Sequence, residues 1–217
     1  METEKIYVLL SKTHTGVARL IRLFGKTHYN HAAISLDADL NELYAFARPQ
    51  HYGIMLARLV HESVYRYTLG KEDYVDVVIF ELDVTPEQHQ WVRETIESIQ
   101  NDNEYMYNYL SVLTYPFFKG FSTYKAFSCI EFAMYILKGL DCCGSFTENI
   151  CRYMPGDLLD LLPDSIIYQG NLLDYKHDDS IDTGYYSPIT YKLVKDSAIA
   201  VKKLCQRSLF KKRYKAS

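Results

Sequence analysis

Apolar residues along the chain switch between the two spacings that distinguish strands from helices. Residues 6–10 (IYVLL) form a short apolar run of β-formers. Ser11, Thr13 and Thr15 follow as helix caps ahead of Val17, Leu20, Ile21 and Phe24 at helical spacing, with Gly25 as the stop. Residues 31–36 (HAAISL) and 43–47 (LYAFA) flank a polar stretch at 37–42, the pattern of two antiparallel strands joined by a hairpin. The strongest strand signal is at 75–84 (VDVVIFELDV), where Val75, Val77 and Ile79 lie in a β-branched background. Thr85, Pro86 and Gln88 then supply an N-cap, a first helical residue and a capping-box partner. Trp91, Thr95, Ile96 and Ile99 keep one helix face apolar to about residue 99. A helix packed on an antiparallel sheet, and so an α+β fold, is the expectation.

The second half is less regular. Residues 105–118 are aromatic and read as helical at first, broken before Pro116, with 119–125 as a loop. Pro155 and Gly156 precede a short helix at 157–162 (DLLDLL), 166–168 reads as a small strand and 174–188 as a polar loop. There is no internal repeat. The pattern divides into a single domain over residues 1–200 and a basic tail over 201–217. In that tail Lys202, Lys203, Arg207, Lys211, Lys212, Arg213 and Lys215 face no acid, while Val201, Leu204, Leu209 and Phe210 add a little apolar character. Such a tail suits a solvated C-terminal helix, or weak attraction to an anionic surface.

Composition narrows the function classes. A chain of 217 residues, 48% apolar and 24% charged, suits one globular domain and excludes collagen-like, low-complexity and wholly disordered chains. Lys and Arg number 24 against 27 Asp and Glu, a net charge of -3 that argues against nucleic acid as a partner of the whole molecule. No apolar run approaches the roughly 18 residues a spanning helix needs, and the acidic N-terminus runs straight into a strand rather than a signal peptide. Cys129, Cys142, Cys143, Cys151 and Cys205 are odd in number and clustered late, a poor disulfide framework, so a reducing, cytoplasmic setting is expected. The 20 tyrosines favour pockets with amphipathic walls, with Tyr29, Tyr44 and the aromatics of 105–118 as lining candidates or as core packing.

The segment with the most chemical content starts at Ser128. Ser128-Cys129-Ile130-Glu131 is a Ser-x-x-Glu capping box ahead of PheAlaMetTyrIleLeuLys and Gly139. Cys129 then sits in a first helical turn, where unpaired N–H groups and the helix dipole favour an anion. A thiol there is activated as a thiolate, and the same N–H groups suit an oxyanion. His31, at the opening of a strand, is the best-placed base. The bland alternative is that Cys129 is a small buried hydrophobe, and both remain open at this level. His14, His28, His51, His61, His89 and His177 read as surface or loop residues. Cys142, Cys143 and Cys151 give no zinc spacing with His28 or His31, so no metal and no cofactor is expected. Nucleotide-loop and serine-hydrolase glycine signatures are absent from the sequence.

The stretch IYVLLSKTHTGVARLIRLFGKTHYNHAAISLDADLNELYAFAR, followed well downstream by FSCIEFAMYIL, resembles the circularly permuted papain-like hydrolases of the NlpC superfamily, in the YiiX-like branch. The resemblance covers residues 5 to about 170 and is most specific at TyrAsnHis and SerCysIleGlu. It implies a permuted papain-like fold in which Cys129 is the nucleophile and His31 the general base, acting on an amide, peptide or acyl ester through a thioacyl intermediate. The family usually adds a third polar residue on the strand after the His strand. A hairpin turning near Asp39 sets Ala45, Phe46, Ala47 and Arg48 across from His31, with Glu42 and Tyr44 as weak candidates if the register differs. The resulting expectation is a cysteine hydrolase of amidase or peptidase type, with a small-molecule, peptide or lipid-like substrate and no stable membrane insertion. Two alternatives stand beside it: a non-catalytic binding module on the same fold, and a lipid acyltransferase at a membrane surface contacted weakly by the tail.

Overall fold

The computed structural model describes residues 3–13, 28–53, 55–69, 71–141, 149–175, 182 and 184–209. The helix expected over residues 17–24, with Thr15 and Gly25, lies outside them. So do His14, Cys142, Cys143, His177 and the tail beyond residue 209.

An α+β architecture is present. Six strands form one antiparallel sheet: β1 (Glu4–Ser11), β2 (His31–Ser35), β3 (Leu43–Ala47), β4 (Arg58–His61), β5 (Asp76–Val84) and β8 (Ile166–Asn171), in the order β4-β3-β2-β1-β5-β8. The short β6 (Met106–Tyr107) and β7 (Ala126–Phe127) pair in parallel beside it. Central β1 is apolar on both faces because both are covered. Ile6, Val8 and Leu10 join the larger core, while Tyr7 and Leu9 join a smaller one on the opposite side. β5 divides the same way, with Val78 and Phe80 against Val77 and Ile79.

The helices are α1 (Val64–Thr68), α2 (Pro86–Asn101), α3 (Tyr109–Phe118), α4 (Cys129–Gly139), α5 (Leu158–Leu161), α6 (Leu172–Tyr175) and α7 (Tyr191–Leu209). α2 starts on the expected capping box, with Thr85 accepting from the Gln88 N–H and Gln88 accepting from the Thr85 N–H. It turns Val92, Ile96 and Ile99 into the larger core. α4 is buried nearly all round, with Phe132, Ala133, Met134, Ile136 and Leu137 fully enclosed. Truncating Phe132, tilted against Phe46 at 5.6 Å between ring centroids, would remove about 3–5 kcal/mol.

Several elements depart from the expected pattern. α3 runs through Pro116 to Phe118: the proline gives up the bond to the Val112 carbonyl but lies so near the end that few further residues depend on it, and Lys119 ends the helix in the left-handed region at φ 49°. β8 extends past Tyr168 to Asn171 because pairing with β5 overrides the weak β-propensity of Gln169, Gly170 and Asn171. The expected loop at 174–188 begins inside α6. α7 crosses residue 200, where the domain was expected to give way to the tail. Its buried Leu204 and Arg207 dock on the body, Arg207 donating to the carbonyls of Glu104 (2.8 Å) and Tyr124 (3.3 Å). Among the described residues, no helix is long and apolar enough to cross a membrane.

Candidate functional site

α4 packs across β2 and β3, and this packing brings together residues far apart in the chain. Cys129 is the first residue of α4. Ser128 caps it, its Oγ accepting from the Glu131 N–H (3.3 Å) while Glu131 Oε2 accepts from the Ser128 N–H (2.6 Å). Helix geometry leaves the N–H groups of Cys129 and Ile130 without intrahelical acceptors. The Glu131 carboxyl is itself buried, a burden that raises its pKa despite the Ser128 N–H and the Asn108 amide.

His31 opens β2 opposite Ser11 of β1, and its ring meets the Cys129 thiol. The imidazole Nε2 lies 2.8 Å from Glu62 Oε2, so Nδ1 is the ring nitrogen that the carboxylate does not occupy. Glu62 directly follows β4, where its backbone N–H donates to the Leu43 carbonyl at 2.7 Å. The same Glu62 Oε2 accepts from the Tyr67 hydroxyl of α1 at 2.6 Å. The His31 and Glu62 side chains are 12% and 6% exposed, so their pairing is little screened by water. Tyr107, from β6, places its hydroxyl 4.0 Å from the Cys129 sulfur.

The electrostatics follow from that order. Burial disfavours a charged imidazole, yet Glu62 and the thiolate outweigh it and hold His31 well above its ordinary 6.5. Burial likewise raises the Cys129 thiol, but His31, the Ala32 backbone and Tyr107 bring it below its ordinary 9.0. Glu62 is lowered in spite of its burial by His31, Tyr67 and Arg66. All three shifts run toward a thiolate beside an imidazolium that a buried carboxylate supports.

The structure thus brings Cys129 and His31 together, and it supplies a third polar residue that sequence reasoning missed. Extending the Ile34↔Tyr44 register sets Ala47 opposite His31, within the apolar stretch expected there. Glu42 instead forms a fork with Arg93, both contacts at 2.8 Å, and the Tyr44 ring packs on His61; neither meets His31. Glu62 reaches the imidazole from one strand further out, in a segment whose four-residue strand carries no alternating signal. The only hint in the sequence is a Glu two residues beyond the Leu59-Val60 pair, after His61.

Cys129, His31, Glu62 and Tyr67 line a cavity of about 100 Å³, with Tyr107, Tyr109 and Tyr185 also in its wall. Cys129 and Tyr107 also border a smaller, more apolar cavity of about 30 Å³ beneath Tyr115 and Tyr153. Of the tyrosines expected to line a pocket, Tyr29 is core, its hydroxyl 3.5 Å from Asp76, and Tyr44 faces away; Tyr107 and Tyr109 do line it. The other described histidines stand apart: His28 on Asp76, His61 and His89 on backbone carbonyls, and His51 among tyrosine rings. Among the described residues no cluster of His, Cys, Asp and Glu could hold a metal ion.

Compared with protein-family models, curated proteins and solved structures, the chain finds no match.

Proposed function

We propose that this protein is a cysteine hydrolase or acyltransferase of permuted papain-like type, acting on an amide or acyl ester with Cys129 as nucleophile and His31 as acid and base. The observation that supports it most is the single line of contacts Cys129–His31–Glu62, buried at one wall of a cavity. Glu62 acts through His31 as a positioning residue, fixing the ring and stabilising its charge.

In the first step the thiolate attacks the substrate carbonyl carbon, forming the C–S bond as the carbonyl electron pair moves to oxygen. The N–H groups of the first turn of α4 and the Tyr107 hydroxyl, 4.0 Å from the sulfur, are the donors we assign to that oxyanion. His31 gives its Nδ1 proton to the leaving nitrogen or oxygen as that bond breaks, leaving a thioester. Neutral His31 then takes a proton from water or an acceptor hydroxyl or amine, whose oxygen or nitrogen attacks the thioester. The C–S bond breaks and the thiolate–imidazolium pair returns. The binding-module alternative rested on a missing third polar residue, a place that Glu62 fills.

Incubation with p-nitrophenyl acetate tests this. A stoichiometric burst of nitrophenolate with an acetyl adduct on Cys129, lost in Cys129→Ser and slowed in His31→Ala, is expected. Turnover retained in Cys129→Ser, or acetylation spread over Cys151 and Cys205 equally, would overturn it.

A further inference from the structure

The wall of the cavity that Cys129 lines also holds Arg66, a cation with one buried nitrogen that reaches no acceptor among the described residues. Arg66, on α1, donates from Nε to Asp182 Oδ2 at 2.7 Å, and its guanidinium lies 5.0 Å from the centre of the Tyr185 ring. Its Nη1 is fully buried and, among the described residues, reaches no acceptor. A buried guanidinium N–H left unsatisfied is costly, and Arg66 lines the same cavity as Cys129. The acid in the wall, Glu62, gives its Oε2 to His31 and Tyr67 and feels the Arg66 charge without a hydrogen bond to Nη1. Arg48 lines the cavity as well; its Nη1 donates to the His51 carbonyl at 2.6 Å, and no carboxylate among the described residues pairs with it.

We propose that the substrate carries an oxyanionic group, carboxylate or phosphate, close to the carbonyl that Cys129 attacks, and that Arg66 and Arg48 bind it. This rests on the proposed thiol chemistry and names the substrate class for it. A guanidinium fork matches the paired oxygens of either group, whereas a neutral substrate would bury Nη1 unpaired. Arg48 and Arg66 line the same cavity of about 100 Å³ as Cys129, which is why the anionic group is placed close to the reacting carbonyl.

Iodoacetate and iodoacetamide alkylate the same sulfur and differ in a carboxylate against an amide. Their rate constants at Cys129, read by peptide mass spectrometry, give a ratio that isolates recognition of the anion. The imidazolium also favours iodoacetate, so dependence of the ratio on arginine is what decides. Arg66→Gln and Arg48→Gln are each expected to lower it about tenfold, the loss of one hydrogen bond to a charged group. Asp182→Asn, which breaks the ion pair and keeps the guanidinium, should hold or raise it. Inorganic phosphate and succinate, added as competitors, show by which one slows iodoacetate in an Arg66-dependent way whether the group is phosphate or carboxylate. A ratio unchanged in both arginine variants, or lowered as far by Asp182→Asn, would overturn the proposal. Failure of iodoacetamide itself to prefer Cys129 in the unaltered protein would instead count against the thiol chemistry. If Arg66→Gln fails to fold, Arg48→Gln decides.

Discussion

Glu62→Gln separates charge from geometry at the site. Both His31 and Tyr67 contact the same Glu62 oxygen, so a glutamine carbonyl can accept both bonds at unchanged positions while removing the negative charge. What is lost is the carboxylate's support of the imidazolium, at 2.8 Å and with both side chains nearly buried. A hydrogen bond to a charged group is worth about 1.5–3 kcal/mol. At about 1.4 kcal/mol per factor of ten, the thiolate–imidazolium state becomes roughly ten- to a hundredfold scarcer relative to neutral thiol and imidazole. Iodoacetamide labelling of Cys129, followed against pH, reads that population because the thiolate is the reacting form. In the unaltered protein labelling should already be fast below the roughly 8.5 of an ordinary cysteine. In Glu62→Gln its rise should move to higher pH, with a roughly ten- to hundredfold deficit near pH 6.5 that closes once both thiols are ionised. A variant profile that overlays the parent would refute the role assigned to Glu62.

Three further outcomes follow from the same geometry. Tyr107→Phe should slow acetylation by p-nitrophenyl acetate roughly tenfold more than it slows iodoacetamide alkylation, which forms no oxyanion and loses only the hydroxyl's share in lowering the Cys129 thiol; equal slowing of both would place the hydroxyl's effect on the thiolate alone. Gly120→Ala should cost about 2 kcal/mol or more in urea denaturation, because φ is +78° and an added Cβ would fall 1.9 Å from the Cys151 carbonyl oxygen; stability equal to the parent would contradict it. Glu62 has a lowered folded-state pKa, so its ionised form adds stability that is present above the unfolded carboxyl value of about 4.3 and is lost as pH falls through the lower folded value. The stability difference between the parent and Glu62→Gln should therefore shift against the parent on acidification through that window, and a pH-independent difference would contradict the assignment.

What could be read in advance was local. The two capping boxes at Thr85 and Ser128, the β-branched run at 75–84 and the hairpin around Asp39 are specified by neighbours within a few residues, and each forms where expected. The position of Cys129 at a helix tip is of this kind, as is the position of His31 at a strand start. Their meeting depends on α4 crossing β2, and this comes from packing of the whole larger core. Glu62 was out of reach for a further reason. It serves a residue two strands away, from the end of a strand flanked by exposed Arg58 and His61, so neither periodicity nor spacing marks it. Arg66 was equally hidden, because its buried Nη1 acquires meaning only from the cavity that Arg66 lines. Pro116 and the helix over residue 200 mark the limits of composition: a proline in a last turn need not break a helix, and a basic segment can dock through one leucine and one arginine.

The central claim is that Cys129 exists as a thiolate held by His31 at neutral pH. Ultraviolet difference absorbance of the thiolate, taken as the parent protein minus Cys129→Ala across a pH titration, measures that state without any substrate. The expected result is a thiolate signal already present near pH 6.5 and missing there in His31→Ala. A signal that emerges only above about pH 8.5, alike with and without the imidazole, would contradict the claim.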